Sequence, residues 1–575
     1  MAAIKCTIAQ FPIAEAPTYV ALSYAWGDAD DKSPVQIDGV KLFIATSLYG
    51  ALSAIREKGN DVLVWADALC IDQENPVEKS DQIKLMTSIY AKAVSVAIWL
   101  GPEADSSESA MEFLKDLQVR SMSEQQIRSL ISSPESQRDL AAVATLFSRS
   151  YWTRVWVVQE VVNASRINVY CGSKKLPWHV LKTASDIFWQ YKKDIDHQFS
   201  KTSARHRRYS ALPNSQTHAH ALVYEGPNGL LDRRILQTGK EEVLLHVLRA
   251  CRRKQAGEAR DKVFALLGVL PESIRKDIPV DYKSSVKEIF TNVVDYLLYT
   301  TDSLDVICES VHFPQHFSSY NLPSWVPDWS HNPETTSLSQ SYSFSAAGKT
   351  IAQWKFIDTH LRNELEISAI YLDTIKYHGF PVGTLCTLAD YLMSFLHWRA
   401  LLIHTFGRSA EGASSKAAHE AFCRTLNLSQ TPLEWRQHTD EWMQACYHVF
   451  ASLLKERLPY LAIDSELEAC AAPHTGIERE NRRQFLQTHF GKYMMGRSFC
   501  ITERKHMGMG SGFMLPEDII VVPLGCRTPI ILRQEGITPR RYRFIGDIYV
   551  DKYMDGRALE MYRSHEAEIE KFVLI

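Results

Sequence analysis

Between residues 19 and 101 the sequence alternates apolar runs too short for helices with stretches of helical spacing. No other feature narrows the fold as much. Tyr19 to Trp26 (YVALSYAW), Val62 to Ala66 (VLVWA) and Val94 to Leu100 (VSVAIWL) read as buried strands. Between them, Thr46 opens a helix carrying Leu48, Leu52 and Ile55, closed by Gly59, and Pro76 to Lys92 places Ile83, Met86, Ile89 and Tyr90 at helical spacing. Strand–helix–strand–helix–strand means parallel βαβ units with right-handed crossovers. A hairpin is expected at 35–43, because Asp38-Gly39 tolerates the positive φ of a tight turn. Helices follow at Ser107 to Leu117, Gln137 to Ser148 and Tyr151 to Val162, then a strand at Ile167 to Cys171 and a helix from Trp178 to Lys193.

The run Val62 to Ala66 is expected in the middle of the sheet, since a continuous apolar stretch implies burial on both faces. Asp67, Cys70, Asp72 and Gln73 follow it at once. Ligands of open α/β sheets sit outside the carboxyl ends of the strands, which is where these groups fall. A second reading stays open: Asp67 and Asp72 cap the next helix, their oxygens satisfying its free N–H groups. Cys70, between Leu69 and Ile71, reads more simply as a small buried hydrophobe than as a nucleophile.

Length and composition set outer limits. At 575 residues the chain exceeds one core, and 45% hydrophobic with 23% charged residues describes a soluble globular protein. A formal net charge of −3 gives no field for nucleic acid or an anionic membrane. The N-terminus lacks the apolar core of a secretory signal, and no stretch is long enough to span a bilayer. Eleven cysteines without CxxC pairs argue against a zinc ribbon or a disulfide framework, so a reducing, cytoplasmic setting is expected. There is no P-loop, no GxSxG elbow, no GxGxxG after a strand, and no histidine cluster at metal-ligand spacing.

Four motifs in order, LSYAWGD (22–28), WADALCIDQ (65–73), IYAKAVSVAIWLG (89–101) and WTRVWVVQE (152–160), resemble the fungal heterokaryon-incompatibility (HET) domain. Downstream, RDKVFALLG (260–268), VDY (280–282), PSWVPDWS (323–330), PLGCRTPIILR and GDIYVDKYMDGRALE are similar to the full-length relatives of that family. The resemblance implies a role in nonself recognition and programmed cell death in filamentous fungi. HET domains in turn resemble TIR domains, which implies a TIR- or flavodoxin-like doubly wound parallel sheet at the N-terminus.

In that comparison Trp156 to Glu160 (WVVQE) is similar to the TIR W-C-x-x-E spacing, whose glutamate cleaves NAD, and Glu160 takes the catalytic position. The sequence departs from TIR in its 35–43 hairpin and in having no cysteine after Trp156. Nicotinamide–ribose cleavage passes through an oxocarbenium-like centre that a carboxylate stabilises. Tyr24, Trp26 and Gly27 close the first strand, the aromatic pair suited to stacking on a nicotinamide or adenine ring. Arg154 suits bidentate anion recognition or a pair with Asp67 or Asp72. Asp67, Cys70, Asp72, Trp156 and Gln159 complete the candidate ligand set, with no metal and no required cofactor, and the TIR resemblance implies NAD as the candidate substrate. The competing reading makes Arg154, Glu160, Asp67 and Asp72 one buried ion network that fixes packing. A third reading keeps the fold as a non-catalytic module that signals through protein partners or self-association, and a fourth gives it another small-molecule reaction.

The expected division is 1–195 for the HET module, 196–240 as a polar insertion including KTSARHRR (201–208), 241–490 as a mainly helical region, and 491–575 as a small β-barrel or sandwich. The histidines of THAHAL (217–222) are expected in a surface loop.

Overall fold

A computed structural model describes residues 4–56, 60–119, 123–202, 218–232, 234–237, 242–312, 316, 318–333, 335–383, 387–471, 477–536 and 540–575. Gly59 and the KTSARHRR stretch lie largely outside the described residues. The chain divides into two compact units, one ending at Ile289 and the other beginning at Phe290.

The first unit is built on a five-stranded sheet. Its strands are β2 (Val20–Tyr24), β5 (Val64–Trp65), β6 (Ser95–Trp99), β7 (Ile167–Cys171) and β8 (Lys174–Pro177), in the order β5-β2-β6-β7-β8. β2 runs parallel to both β5 and β6, β6 runs parallel to β7, and β8 closes the far edge antiparallel. Alternation along β2 and β6 sends Leu22, Tyr24, Ala97 and Trp99 into one core with Leu48, Ala51 and Leu52 of helix Thr46–Ile55. Ser23 points the other way, toward helix Val157–Val162, where it meets Glu160. On that face Tyr90 of helix Pro76–Lys92 donates to the Leu22 carbonyl at 2.8 Å. A small separate sheet orders β1 (Lys5–Cys6), β3 (Lys32–Ile37) and β4 (Val40–Ala45), with Asp38 and Gly39 at positive φ in the hairpin turn.

In this unit three expectations about secondary structure require correction. Val62 to Ala66 is not the middle of the sheet: its strand is two residues long, pairs only with β2 and lies at the edge, half-buried. Its apolar character comes from packing, with Trp65 edge-on to Tyr90 at 5.5 Å between ring centroids. Tyr151 to Val162 is not one helix. A 3₁₀ turn at Ser150–Thr153 gives way to an extended residue at Arg154, and the helix resumes at Val157. The cause is a distant backbone pairing: Gln255 donates to the Thr153 carbonyl at 2.6 Å and its own carbonyl accepts from Val155 at 2.9 Å. His218 to Tyr224 is a helix rather than a loop, because Ala219, Leu222 and Val223 form a buried face.

The second unit contains the helices Leu388–Phe406, Ala413–Leu426 and Thr439–Arg457 and an eight-stranded sheet. The sheet is made of β9 (Trp354–Phe356), β10 (Leu365–His378), β11 (Arg497–Thr502), β12 (Met507–Ser511), β13 (Ile519–Pro523), β14 (Ile530–Glu535), β15 (Arg541–Val550) and β16 (Ile569–Leu574). β10 bonds β13 and β16 along its first part and β11 along its last, so the pairings from β11 through β12, β15, β14 and β13 return to β10. This long strand sits within the stretch expected to be mainly helical. Its alternating LEISAIYLDTIKYH is fully consistent with a strand and is buried over most of its length. Among the described residues no helix is long and apolar enough to cross a membrane.

Ile98 is fully buried in β6 between two parallel neighbours. Ile98→Ala should cost about 2–5 kcal/mol and lower the melting temperature of the first unit, as read by thermal denaturation.

Candidate functional site

The turns after β2 and β5 and the extended residue at Arg154 converge on a cavity of about 560 Å³. Its size falls within the range of small-molecule sites. Trp26, Asp67, Gln73, Arg154 and Trp156 line one side, and Ile83 and Met86 of helix Pro76–Lys92 give it an apolar wall. The opposite wall is the segment Gln255, Ala256, Gly257, Glu258 and Asp261.

Trp26, 41% exposed, donates its indole N–H to Asp67 Oδ2 at 2.9 Å, which ties the first turn to the second. Trp156 is held from the other wall, its indole donating to Asp261 Oδ2 at 3.0 Å. Tyr282 donates to the other Asp261 oxygen at 2.5 Å, and burial raises the Asp261 pKa despite both bonds. Lys79 lies 3.7 Å from Glu258 and stands over the Tyr282 ring at 4.5 Å. Arg154, half-buried, donates to the Tyr24 carbonyl and forms no ion pair among the described residues. Its remaining N–H groups are free for an anion in the cavity it lines.

Glu160 is 1% exposed and does not line this cavity. Its carboxylate accepts from Ser23, whose hydroxyl also meets the Tyr151 hydroxyl at 2.7 Å. Burial pushes the Glu160 pKa up to about 7, opposed by the nearby Arg154 charge and the Ser23 bond, and aided by Asp67. Tyr24 is also buried outside the lining, its hydroxyl pKa raised by burial and then by Asp67.

Of the residues singled out in the sequence, the cavity therefore gathers Trp26, Asp67, Gln73, Arg154 and Trp156. Gly27 lines a neighbouring cavity instead. Gln159 is buried, its amide 3.5 Å from Met86 Sδ, and it packs where a Cβ on Gly268 would lie 1.9 Å from its Oε1. Gly268 has a helical φ of −63°, so this close approach explains the glycine there. Asp72 is exposed and accepts from the Glu74 N–H at 3.0 Å, while Asn75 caps the following helix. Cys70 is exposed rather than buried, because the single turn Asp67–Cys70 follows an edge strand and leaves that face open.

Sequence reasoning missed Ser23, Tyr151 and the whole wall from Gln255 to Asp261. Ser23 carried a signal, since a hydroxyl inside an otherwise apolar buried strand needs a polar partner. So did RDK (260–262), three charges opening an apolar helix. Asp261 holds Trp156, and the buried Lys262 donates to the Arg252 carbonyl at 2.7 Å.

A largely parallel sheet with a cavity at its strand ends is the setting in which the comparisons with known proteins fall. Residues 19–160 match the family model "Heterokaryon incompatibility protein (HET)", and residues 477–575 match "Het-6 beta-barrel domain". Over its length it is similar to "Heterokaryon incompatibility protein 6, OR allele" of Neurospora crassa, 23% identical over 667 aligned positions spanning 100% of this chain and 94% of that protein. No solved structure matches the chain.

The folded Glu160 carboxyl takes up its proton at about 7, against 4.5 for an ordinary glutamate. The folded state therefore holds an extra proton between those values, and its stability falls as pH rises through them, levelling off above. The whole change is on the order of 3 kcal/mol. Glu160→Gln, neutral throughout and still able to accept from Ser23, should melt near the wild type at pH 5 and several degrees above it at pH 8. Parallel melting curves across that range would reject the buried, proton-sensitive carboxyl.

Proposed function

We propose that the chain acts in fungal nonself recognition through a HET module that binds a nucleotide of the NAD type. The observation that carries this reading is the cavity of about 560 Å³ at the ends of β2 and β5, lined by the Trp26 and Trp156 indoles and by Arg154, whose guanidinium forms no ion pair among the described residues. A guanidinium suits a phosphate, and indoles suit a flat heterocycle. The strand order also supports it. Counted along the chain, the five strands lie 2-1-3-4-5, the flavodoxin-like order, with ligand-binding turns expected beside the first strand. The antiparallel fifth strand departs from an all-parallel sheet.

Hydrolysis of NAD is the reaction that fits such a site: water adds to the ribose, nicotinamide leaves, and a proton is released. Glu160 is the acid that the TIR resemblance puts in the catalytic position, and at neutral pH its raised pKa leaves it partly ionised. Its carboxyl reaches a bound ribose only if the Ser23 hydrogen bond opens, because it does not line the cavity. That burial favours a second reading, in which the module binds without chemistry and triggers programmed cell death through self-association or protein partners.

Purified protein should bind NAD saturably by calorimetry, with Arg154→Ala weakening binding at least tenfold; no binding to the wild type would overturn the proposal. Nicotinamide release that Glu160→Gln lowers by about a hundredfold or more would establish the hydrolytic form. Binding without release would establish the second reading.

A further inference from the structure

Cys308 and Cys526 lie 218 positions apart in the chain, yet their sulfurs are 3.7 Å from one another. Both belong to the second unit, and each is 2% exposed. A lone buried cysteine packs as a small hydrophobe, but two sulfurs at contact distance can also react with each other. Cys308 lines a cavity of about 20 Å³ together with Ser310, Arg497 and Asp547, whereas Cys526 lies outside that lining. The volume admits one molecule the size of water. Hydrogen peroxide is little larger.

The surrounding backbone holds the two sulfurs in place. Cys308 sits in the 3₁₀ turn Asp305–Glu309, and Cys526 follows β13 in a turn that Gly525 enters at φ +72°. The Gly525 carbonyl accepts from the Leu304 N–H at 2.9 Å and from the Ser303 hydroxyl at 3.0 Å. On the other side of Cys526, the Arg527 N–H donates to Asp305 Oδ1 at 2.9 Å and the guanidinium pairs with Asp305 Oδ2 at 3.1 Å. These ties flank Cys526 and draw the turn carrying Cys308 against it. The turn has little room to relax, since a Cβ on Gly525 would lie 2.3 Å from the Ala352 backbone nitrogen.

We infer that Cys308 and Cys526 are a modification site, forming a reversible disulfide when the chain meets hydrogen peroxide. A sulfur–sulfur bond is about 2.0 Å long, so about 1.7 Å remains to close, shared between two side chains. The Cys308 thiolate attacks one peroxide oxygen, the O–O bond breaks, and the departing hydroxide takes up the thiol's proton to become water. The Cys526 sulfur then attacks the sulfur of the sulfenic acid, the S–O bond breaks, and a second water leaves with the Cys526 proton. The two thiols lose two electrons and the peroxide gains them. The Cys526 thiol alongside and burial push the Cys308 thiol up, so little thiolate is present at neutral pH and the first step is slow. Burial equally shelters the finished bond from reducing thiols. The bond closes a loop that spans most of the second unit, which restricts the unfolded chain and so stabilises the folded one. The inference is independent of the nucleotide reading, because every residue in it belongs to the second unit.

The test uses the full chain, fully reduced and then held in hydrogen peroxide for several hours. It is denatured, alkylated and digested without reductant. Mass spectrometry should find a peptide pair joined through Cys308 and Cys526, which dithiothreitol separates. Cys308→Ser and Cys526→Ala should each lack that pair. The oxidised wild type should melt several degrees above the reduced protein, a difference that either variant abolishes. Cys70, an exposed thiol, reports that the oxidant has acted. Oxidised Cys70 beside Cys308 and Cys526 that are both still alkylated as free thiols would overturn the inference, as would a bond from either one to another cysteine. The wild-type peptide map decides the matter even where a variant fails to fold.

Discussion

The first unit depends on a backbone contact between residues a hundred positions apart. Where Gln255 pairs with Thr153 and Val155, the chain is drawn out of helix for one residue, and that residue is Arg154. In a continuous helix a side chain at this position would follow the 3.6-residue period of its neighbours. The extended conformation instead sets it against the carbonyl of Tyr24 and toward the cavity. The same contact brings in the Gln255–Asp261 segment, and Asp261 then fixes the Trp156 indole. One irregularity thus places the cation, one of the aromatic rings and the far wall.

Behind this surface lies a second layer with different physics. Ser23, Tyr151 and Glu160 are each about 1% exposed and bonded to one another. A carboxyl there can shed its charge cheaply, because burial penalises the anion more than the nearby guanidinium favours it. Asp67 and Arg154 on the cavity stay half-exposed, whereas the layer beneath holds an acid near its point of half-ionisation at neutral pH. The electrostatics therefore change sharply over a single strand thickness.

Much of this was readable from residues alone. The apolar runs at 20–24 and 95–99 mark central strands because neighbours on both sides and helices on both faces leave no fully buried polar position except Ser23. The run at 62–66 looks the same in sequence but sits at an edge, since Trp65 is apolar for the sake of Tyr90 rather than for strands on either side. Trp26, Asp67, Arg154 and Trp156 could be found because they cluster at strand ends and at one motif. Residues 255–261 could not be assigned to them, for periodicity reports local structure and nothing in it says which distant segment will fold back. Gln159 misled for a related reason: its amide serves a tight helix approach at Gly268, a contact invisible until both partners are placed.

The reach of that returning segment bears on what counts as the module. The matched HET region stops at residue 160, yet Gln255, Glu258 and Asp261 supply the far side of the cavity. A fragment trimmed to the matched region would keep Arg154 and both indoles but leave Ile83, Met86 and Trp156 facing water, an apolar surface prone to nonspecific association. Truncated forms would then show stickiness unrelated to any ligand, and self-association seen with them would say little about the intact chain.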